Sequence, residues 1–143
     1  MSRVQPQILL VEDNADNRLL VTVLLEDRYR VVEAASAEEA LLLLPMLRPD
    51  LFLIDITLPG MDGIELLAEL RRLPGSAEVP AIAFTAHAME GDRERFLAAG
   101  FDGYLSKPIL EERLLHDAVT SALRGAESGS GAACGGISSI QGS

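Results

Sequence analysis

The sequence predicts an α/β domain: a doubly wound, five-stranded parallel sheet in the order 2-1-3-4-5, with helices on both faces. Three observations carry that prediction. Short apolar runs alternate with longer amphipathic stretches from Gln7 to Arg124, and strictly alternating strand-helix units fold as a parallel sheet between helical layers. Three of the runs, Ile8–Val11, Leu51–Ile54 and Ala81–Phe84, are apolar throughout, the mark of strands covered on both sides. Pro49, Pro59, Pro74, Pro80 and Pro108 all fall at the joints, where a missing N–H does least harm. Right-handed crossovers then leave few topologies, and this order opens a crevice at the carboxyl ends of strands one and three.

The elements follow in turn. Arg30–Ala34 is the second strand, and its Arg30 and Glu33 make it polar enough for an edge. Gly103–Ser106 is the fifth. Asn14 caps a first helix that carries Leu19, Leu20, Val23 and Leu24 at helical spacing. Ser36 and Glu39 form a capping box ahead of Ala40–Leu44. Asp62 caps a third helix with Ile64, Leu67 and Leu70 on one side. A short fourth helix, Glu90–Ala99, closes on Gly100, a residue suited to a left-handed helix end. Ile109–Leu123 is the fifth. Beyond Arg124 the segment 125–143 holds half of the chain's glycines, many serines and little charge. It is expected to be a flexible Gly/Ser-rich tail after a domain spanning residues 1–124, since it buries too little to offset ordering.

Composition narrows the function. The 143 residues are 48% hydrophobic and only 4% aromatic, with no tryptophan, so the core is expected to be built mainly from Leu, Ile, Val and Ala. A net charge of −10 argues against nucleic acid, whose phosphates need Lys and Arg. Acid excess also serves plain solubility. The single cysteine, Cys134, forms no internal disulfide, as expected in a reducing compartment. No leader or membrane-spanning run is visible. The expectation is a cytoplasmic protein with no membrane partner.

The chemistry lies at the strand ends. Strand one runs into Glu12-Asp13, strand three into Asp55, strand four into Thr85 and strand five into Lys107-Pro108. Singly, each reads as a turn residue or helix cap. Together they place three carboxylates, a hydroxyl and an ammonium around one crevice. Crowded carboxylates repel, so their pKa values rise or a cation joins them. Mg²⁺ suits hard oxygen donors and keeps several waters; Mn²⁺ can substitute. Asp55 can then attack phosphorus and form an acyl phosphate, its new oxygens met by the cation, Lys107 and Thr85. Lys107 is the only lysine, all eleven other basic residues being arginines, and it falls where a compact cation is needed.

In these motifs the chain resembles the receiver domain of two-component response regulators, a flavodoxin-like fold. The resemblance rests on Ile8-Leu-Leu-Val-Glu-Asp-Asn14, Asp50-Leu-Phe-Leu-Ile-Asp55, Leu58-Pro-Gly-Met-Asp-Gly63, Phe84-Thr-Ala86 and Tyr104-Leu-Ser-Lys-Pro108. It implies that Asp55 is the phosphoacceptor and a metal ligand, that Asp13 binds Mg²⁺ directly and Glu12 through water, and that the Thr57 backbone carbonyl supplies a further oxygen. Thr85 and Tyr104 would be the coupled switch pair. The Lys107–Pro108 bond would be cis, which a tertiary amide tolerates. Gly60 would take a backbone geometry closed to other residues. Thr57 and His87 stand where the family varies and where phosphoryl lifetime is set. Implied partners are a sensor histidine kinase or histidine phosphotransfer protein, and a downstream protein target reading the face of helix four, strand five and helix five. No DNA-binding or enzymatic output domain is visible after Arg124, so output by protein contact or onward phosphoryl relay is expected, not turnover as an enzyme.

Two other classes compete. A small Mg²⁺-dependent phosphohydrolase with Asp55 as nucleophile would want a second acid two residues on, where this chain has Thr57. A phosphorylation-independent pseudo-receiver would typically have lost an acid or the lysine, and this chain keeps both.

Overall fold

The computed structural model describes residues 5–86, 92–107 and 112–132, without the side chains of residues 93 and 126–132. Its strands are β1 (Gln7–Val11), β2 (Arg30–Ala34), β3 (Leu51–Asp55), β4 (Ala81–Thr85) and β5 (Gly103–Ser106), and its helices α1 (Ala15–Leu25), α2 (Ala37–Leu43), α3 (Gly63–Arg71), α4 (Asp92–Ala99) and α5 (Glu112–Ala132). All strand pairs are parallel, in the order β2-β1-β3-β4-β5. The expected sheet is the observed one, and β2 is an edge.

Alternation along the strands divides the core in two. Leu9, Val11, Phe52, Ile54, Ala81 and Ala83 face the layer that contains Leu66, Leu67, Leu70 and Phe96. Ile8, Leu10, Leu51, Leu53, Ile82 and Phe84 face Val21, Leu25, Leu115 and Val119. A period of two thus feeds both layers from the same three central strands. Truncating a fully buried leucine such as Leu53 to alanine in either layer costs about 2–5 kcal/mol.

Helix ends follow local chemistry. Asn14 caps α1 by accepting from the Asn17 amide at 2.9 Å. Asp62 and Glu65 form a complete capping box on α3. At α2, Ser36 accepts from the Glu39 amide, but Glu39 returns to the Ala35 amide, one residue short of the box geometry. Gly100, at φ +112, ends α4 in a Schellman motif: its amide reaches Leu97 and that of Phe101 reaches Phe96, whose ring packs edge-on at 6.4 Å. Gly60 also has a positive φ of 76.

Three expectations meet a different structure. In α1 the buried side chains are Val21 and Leu25, while Leu19, Leu20 and Val23 are exposed. From Leu19 onward the helix is apolar nearly all round, so spacing alone does not choose its inner face. The run after Ala40 ends in a 3-10 turn at Leu44–Met46, because Pro45 cannot continue the α-helical hydrogen bonding. The last helix continues to Ala132, past Arg124. Residues 87–91 and 108–111 lie outside the described residues, as do 133–143, and with them the start expected for α4, His87 and Pro108.

Candidate functional site

Two neighbouring strands deliver the three acids. β1, in register with β3, leads directly into Glu12, and β3 ends on Asp55. Glu12 is fully buried and Asp55 is 1% exposed, whereas Asp13, next along, is exposed. Carboxylate oxygens of all three lie within 4.8 Å of one another. Lys107 enters from the far side: its amide donates to the Thr85 carbonyl at 2.7 Å, its Nζ lies over the Phe84 ring at 5.1 Å, and that Nζ reaches Glu12 Oε1 at 2.9 Å and Asp55 Oδ2 at 3.0 Å.

The remaining carboxylate oxygens are held by backbone. Glu12 Oε2 accepts from the Asn14 amide at 3.0 Å, and Asp55 Oδ1 accepts from the Thr57 amide at 3.0 Å. The loop after Asp55 is drawn tightly against α3, whose first residue Gly63 donates to the Ile56 carbonyl at 3.0 Å. A Cβ on Gly63 would lie 2.8 Å from Ile56 Cα and closer still to the Asp55 carbonyl oxygen. Only glycine permits that approach.

The electrostatics are those of an anionic site short of positive charge. Burial, aided by the charge of Glu12, pushes Asp55 up to about 6, against the opposing pull of the Thr57 amide and Lys107. Burial works against the Lys107 ammonium too, but hydrogen bonds and charge from Glu12 and Asp55 outweigh it and raise its pKa. One lysine therefore serves two buried carboxylates, with Asp13 beside them. The donors are all hard oxygens, and the surplus is negative. That combination fits a divalent cation such as Mg²⁺.

Glu12, Asp13, Asp55 and Lys107 are brought together as expected, with the Thr57 backbone on the Asp55 carboxylate. Thr85 ends β4, next to β3, and is 3% exposed. Tyr104 lies two residues before the end of β5, 36% exposed, with its ring 6.1 Å from Phe96. The sequence reading missed Arg18, which donates to the Glu12 carbonyl at 2.8 Å. A signal existed: a cation one turn into a helix opposes the helix dipole and calls for a local partner.

This architecture belongs to two-component signalling. The model of the response regulator receiver domain family matches residues 8–120, and the chain belongs to that family. It is similar to the polar-differentiation response regulator DivK of Brucella anthropi, 39% identical over 109 residues that cover 76% of this chain and 89% of DivK. It is 42% identical over 114 residues to the signal transduction histidine-protein kinase BarA of Escherichia coli, covering 79% of this chain but 12% of the kinase. Among solved structures, the receiver domain of sensor histidine kinase PA1611 from Pseudomonas aeruginosa, with a magnesium ion coordinated in its active site cleft, aligns with TM-score 0.76 at 35% identity, over 85% of this chain and 99% of that one. Receiver domains are signalling modules that pair with histidine kinases or phosphotransfer proteins. No described helix is long and apolar enough to cross a membrane.

Proposed function

We propose that this chain accepts a phosphoryl group on Asp55 from a histidine kinase or phosphotransfer protein and relays it or changes shape in response. The observation that carries this is the Asp55 carboxylate itself, 1% exposed and hydrogen-bonded to Lys107 at 3.0 Å amid two further acids. Asp13, Asp55 and the Thr57 backbone carbonyl, with Glu12 through water, would hold Mg²⁺, or Mn²⁺ in its place, and the bound cation would supply positive charge for the phosphoryl oxygens. A carboxylate oxygen of Asp55 attacks phosphorus, an O–P bond forms, the P–N bond to the donor imidazole breaks, and its electron pair stays on that nitrogen, so the ring leaves as neutral imidazole with the proton its other nitrogen already carried. Lys107 shifts one hydrogen bond from the carboxylate to the new phosphoryl group. The Glu12 carboxylate keeps that ammonium in place throughout, and the Thr85 hydroxyl takes a second phosphoryl oxygen.

Intact mass after incubation with acetyl phosphate and Mg²⁺ tests the reading. Wild type should gain one labile phosphate, and Asp55→Asn none. Steady release of phosphate with no adduct would identify a hydrolase, and no reaction a pseudo-receiver.

The signal then runs from Thr85 to Tyr104. Drawing Thr85 toward the phosphoryl group makes room for Tyr104, which has exposure left to lose, and reshapes the face of α4, β5 and α5. A partner on this face gains about 1–3 kcal/mol on phosphorylation. Thr85→Ala should still take phosphate yet lose most of that gain, as read by partner binding with and without beryllofluoride; an equal gain would route the coupling elsewhere.

A further inference from the structure

Arg18 is the charged group beside the acidic cluster that this chemistry leaves unused. Its Nη1 holds the backbone carbonyl of Glu12 at 2.8 Å, and its Nε pairs with Glu33 Oε1 at 3.3 Å. The other oxygen of Glu33 accepts from the Thr22 hydroxyl, one turn further along α1, at 2.8 Å. Arg18, Glu33 and Thr22 thus brace α1 against the edge strand β2, with the guanidinium's other arm on Glu12.

The carbonyl it grips belongs to the peptide plane joining Glu12 to Asp13. Every other polar atom of Glu12 is also tied: its amide to Ala34, its side-chain oxygens to the Asn14 amide and Lys107. Asp13 is exposed, so its aim is set by the backbone that carries it. We infer that Arg18 is a positioning residue, which fixes the Glu12–Asp13 peptide from the sheet edge and so aims the Asp13 carboxylate into the cation site. The inference rests on the Mg²⁺ reading above. It also gives Glu33 a task beyond marking an edge.

Two effects of removing Arg18 have opposite signs. Loss of a positive charge near the acids, by Coulomb attraction alone, tightens binding of a divalent cation. Loss of the brace loosens Asp13 and weakens it, and partners that orient metal ligands without touching the metal are worth about 10–100-fold in affinity. A site that keeps several waters sits near the bottom of that range, and the Coulomb gain subtracts from it, so Arg18→Ala should weaken Mg²⁺ binding about fivefold to tenfold.

Calorimetric titration of the full chain with MgCl₂ at fixed ionic strength measures this in wild type, Arg18→Ala and Arg18→Lys. The lysine can reach the carbonyl but not both partners, and should recover part of the loss. With acetyl phosphate, Arg18→Ala should need correspondingly more Mg²⁺ for half-maximal labelling, with the same rate at saturating Mg²⁺. A rate that stays lower at saturating Mg²⁺ marks a general loss of structure and overturns the inference. Equal or tighter binding by Arg18→Ala overturns the inference and leaves the Mg²⁺ reading intact; a wild type that binds no Mg²⁺ overturns both. Should Arg18→Ala not fold, Thr22→Val removes the far anchor with no change of charge. It should weaken binding about twofold, and wild-type affinity in that variant overturns the inference.

Discussion

The two ends of the sheet carry similar residues and treat them differently. At the amino end, Asp50 and Asp102 each precede a strand. Asp50 accepts from the Gln7 amide at 2.8 Å and Asp102 from the Ala81 amide at 2.9 Å, and each returns its own amide to the same residue's carbonyl at 2.7 Å. Both are exposed. Arg71 ties this end together through the carbonyls of Ser76, Val79 and Gly100. At the carboxyl end, Glu12 and Asp55 are buried facing each other and share one lysine. The amino end uses its acids to close strands; the carboxyl end holds Asp55 where ionisation is costly. The lesson is that stability and reactivity are separated along the strand axis, so substitutions at the two ends should be separable too.

The largest expected effect is at Gly63. Gly63→Ala forces a Cβ into the Asp55–Ile56 backbone and should cost about 3 kcal/mol or more in urea unfolding, with phosphorylation impaired as well. A neutral result would show that the loop has slack and that its tight packing does not hold Asp55. Next is Arg71→Ala, which deprives three carbonyls of a charged donor. It should destabilise by about 1–3 kcal/mol while leaving labelling of Asp55 by acetyl phosphate unchanged. Altered labelling would break the separation of the two ends. The smallest effect is expected from ending the chain at Arg124. Residues 125–132 extend α5 through Gly125, Gly129 and Gly131, each about 1 kcal/mol worse than alanine in a helix, so their removal should change stability by less than about 1 kcal/mol. A larger loss would mean that this stretch packs on the domain.

The strands were legible because burial on both faces leaves no polar residue inside β1, β3 or β4, and the acids follow where the apolar runs end. Asp55 was legible for the same reason: a carboxylate directly after Leu51–Ile54 stands at a strand end. The inner face of α1 was not, since Leu19, Leu20, Val21, Val23, Leu24 and Leu25 offer no polar side to point outward. Nor was the reach of α5, because a run rich in Gly and Ser has weak intrinsic helix preference and gives no sign of where the helix stops. Arg18 escaped for a different reason. Its partners, Glu12 and Glu33, come from two strands, and only the fold places both beside one helix.

The claim at the centre of this account is that the carboxyl end holds Asp55 ionised at a cost to stability. Burial raises its pKa from the ordinary 3.8 to about 6, so between those values the folded chain holds a proton that the unfolded chain has released. Stability contributed by this group therefore falls as pH rises through that window. The measurement is the unfolding free energy of wild type and Asp55→Asn in urea, without metal, across the window and above it, then with Mg²⁺. Asp55→Asn should match wild type near pH 4 and become more stable by about 2–3 kcal/mol above pH 6. Mg²⁺ at about ten times its dissociation constant should raise wild type by about 1.4 kcal/mol and the variant by less, narrowing the gap. If Asp55→Asn is instead the less stable protein above pH 6, with a gap indifferent to pH and to Mg²⁺, the buried carboxylate is a structural group and the account is wrong.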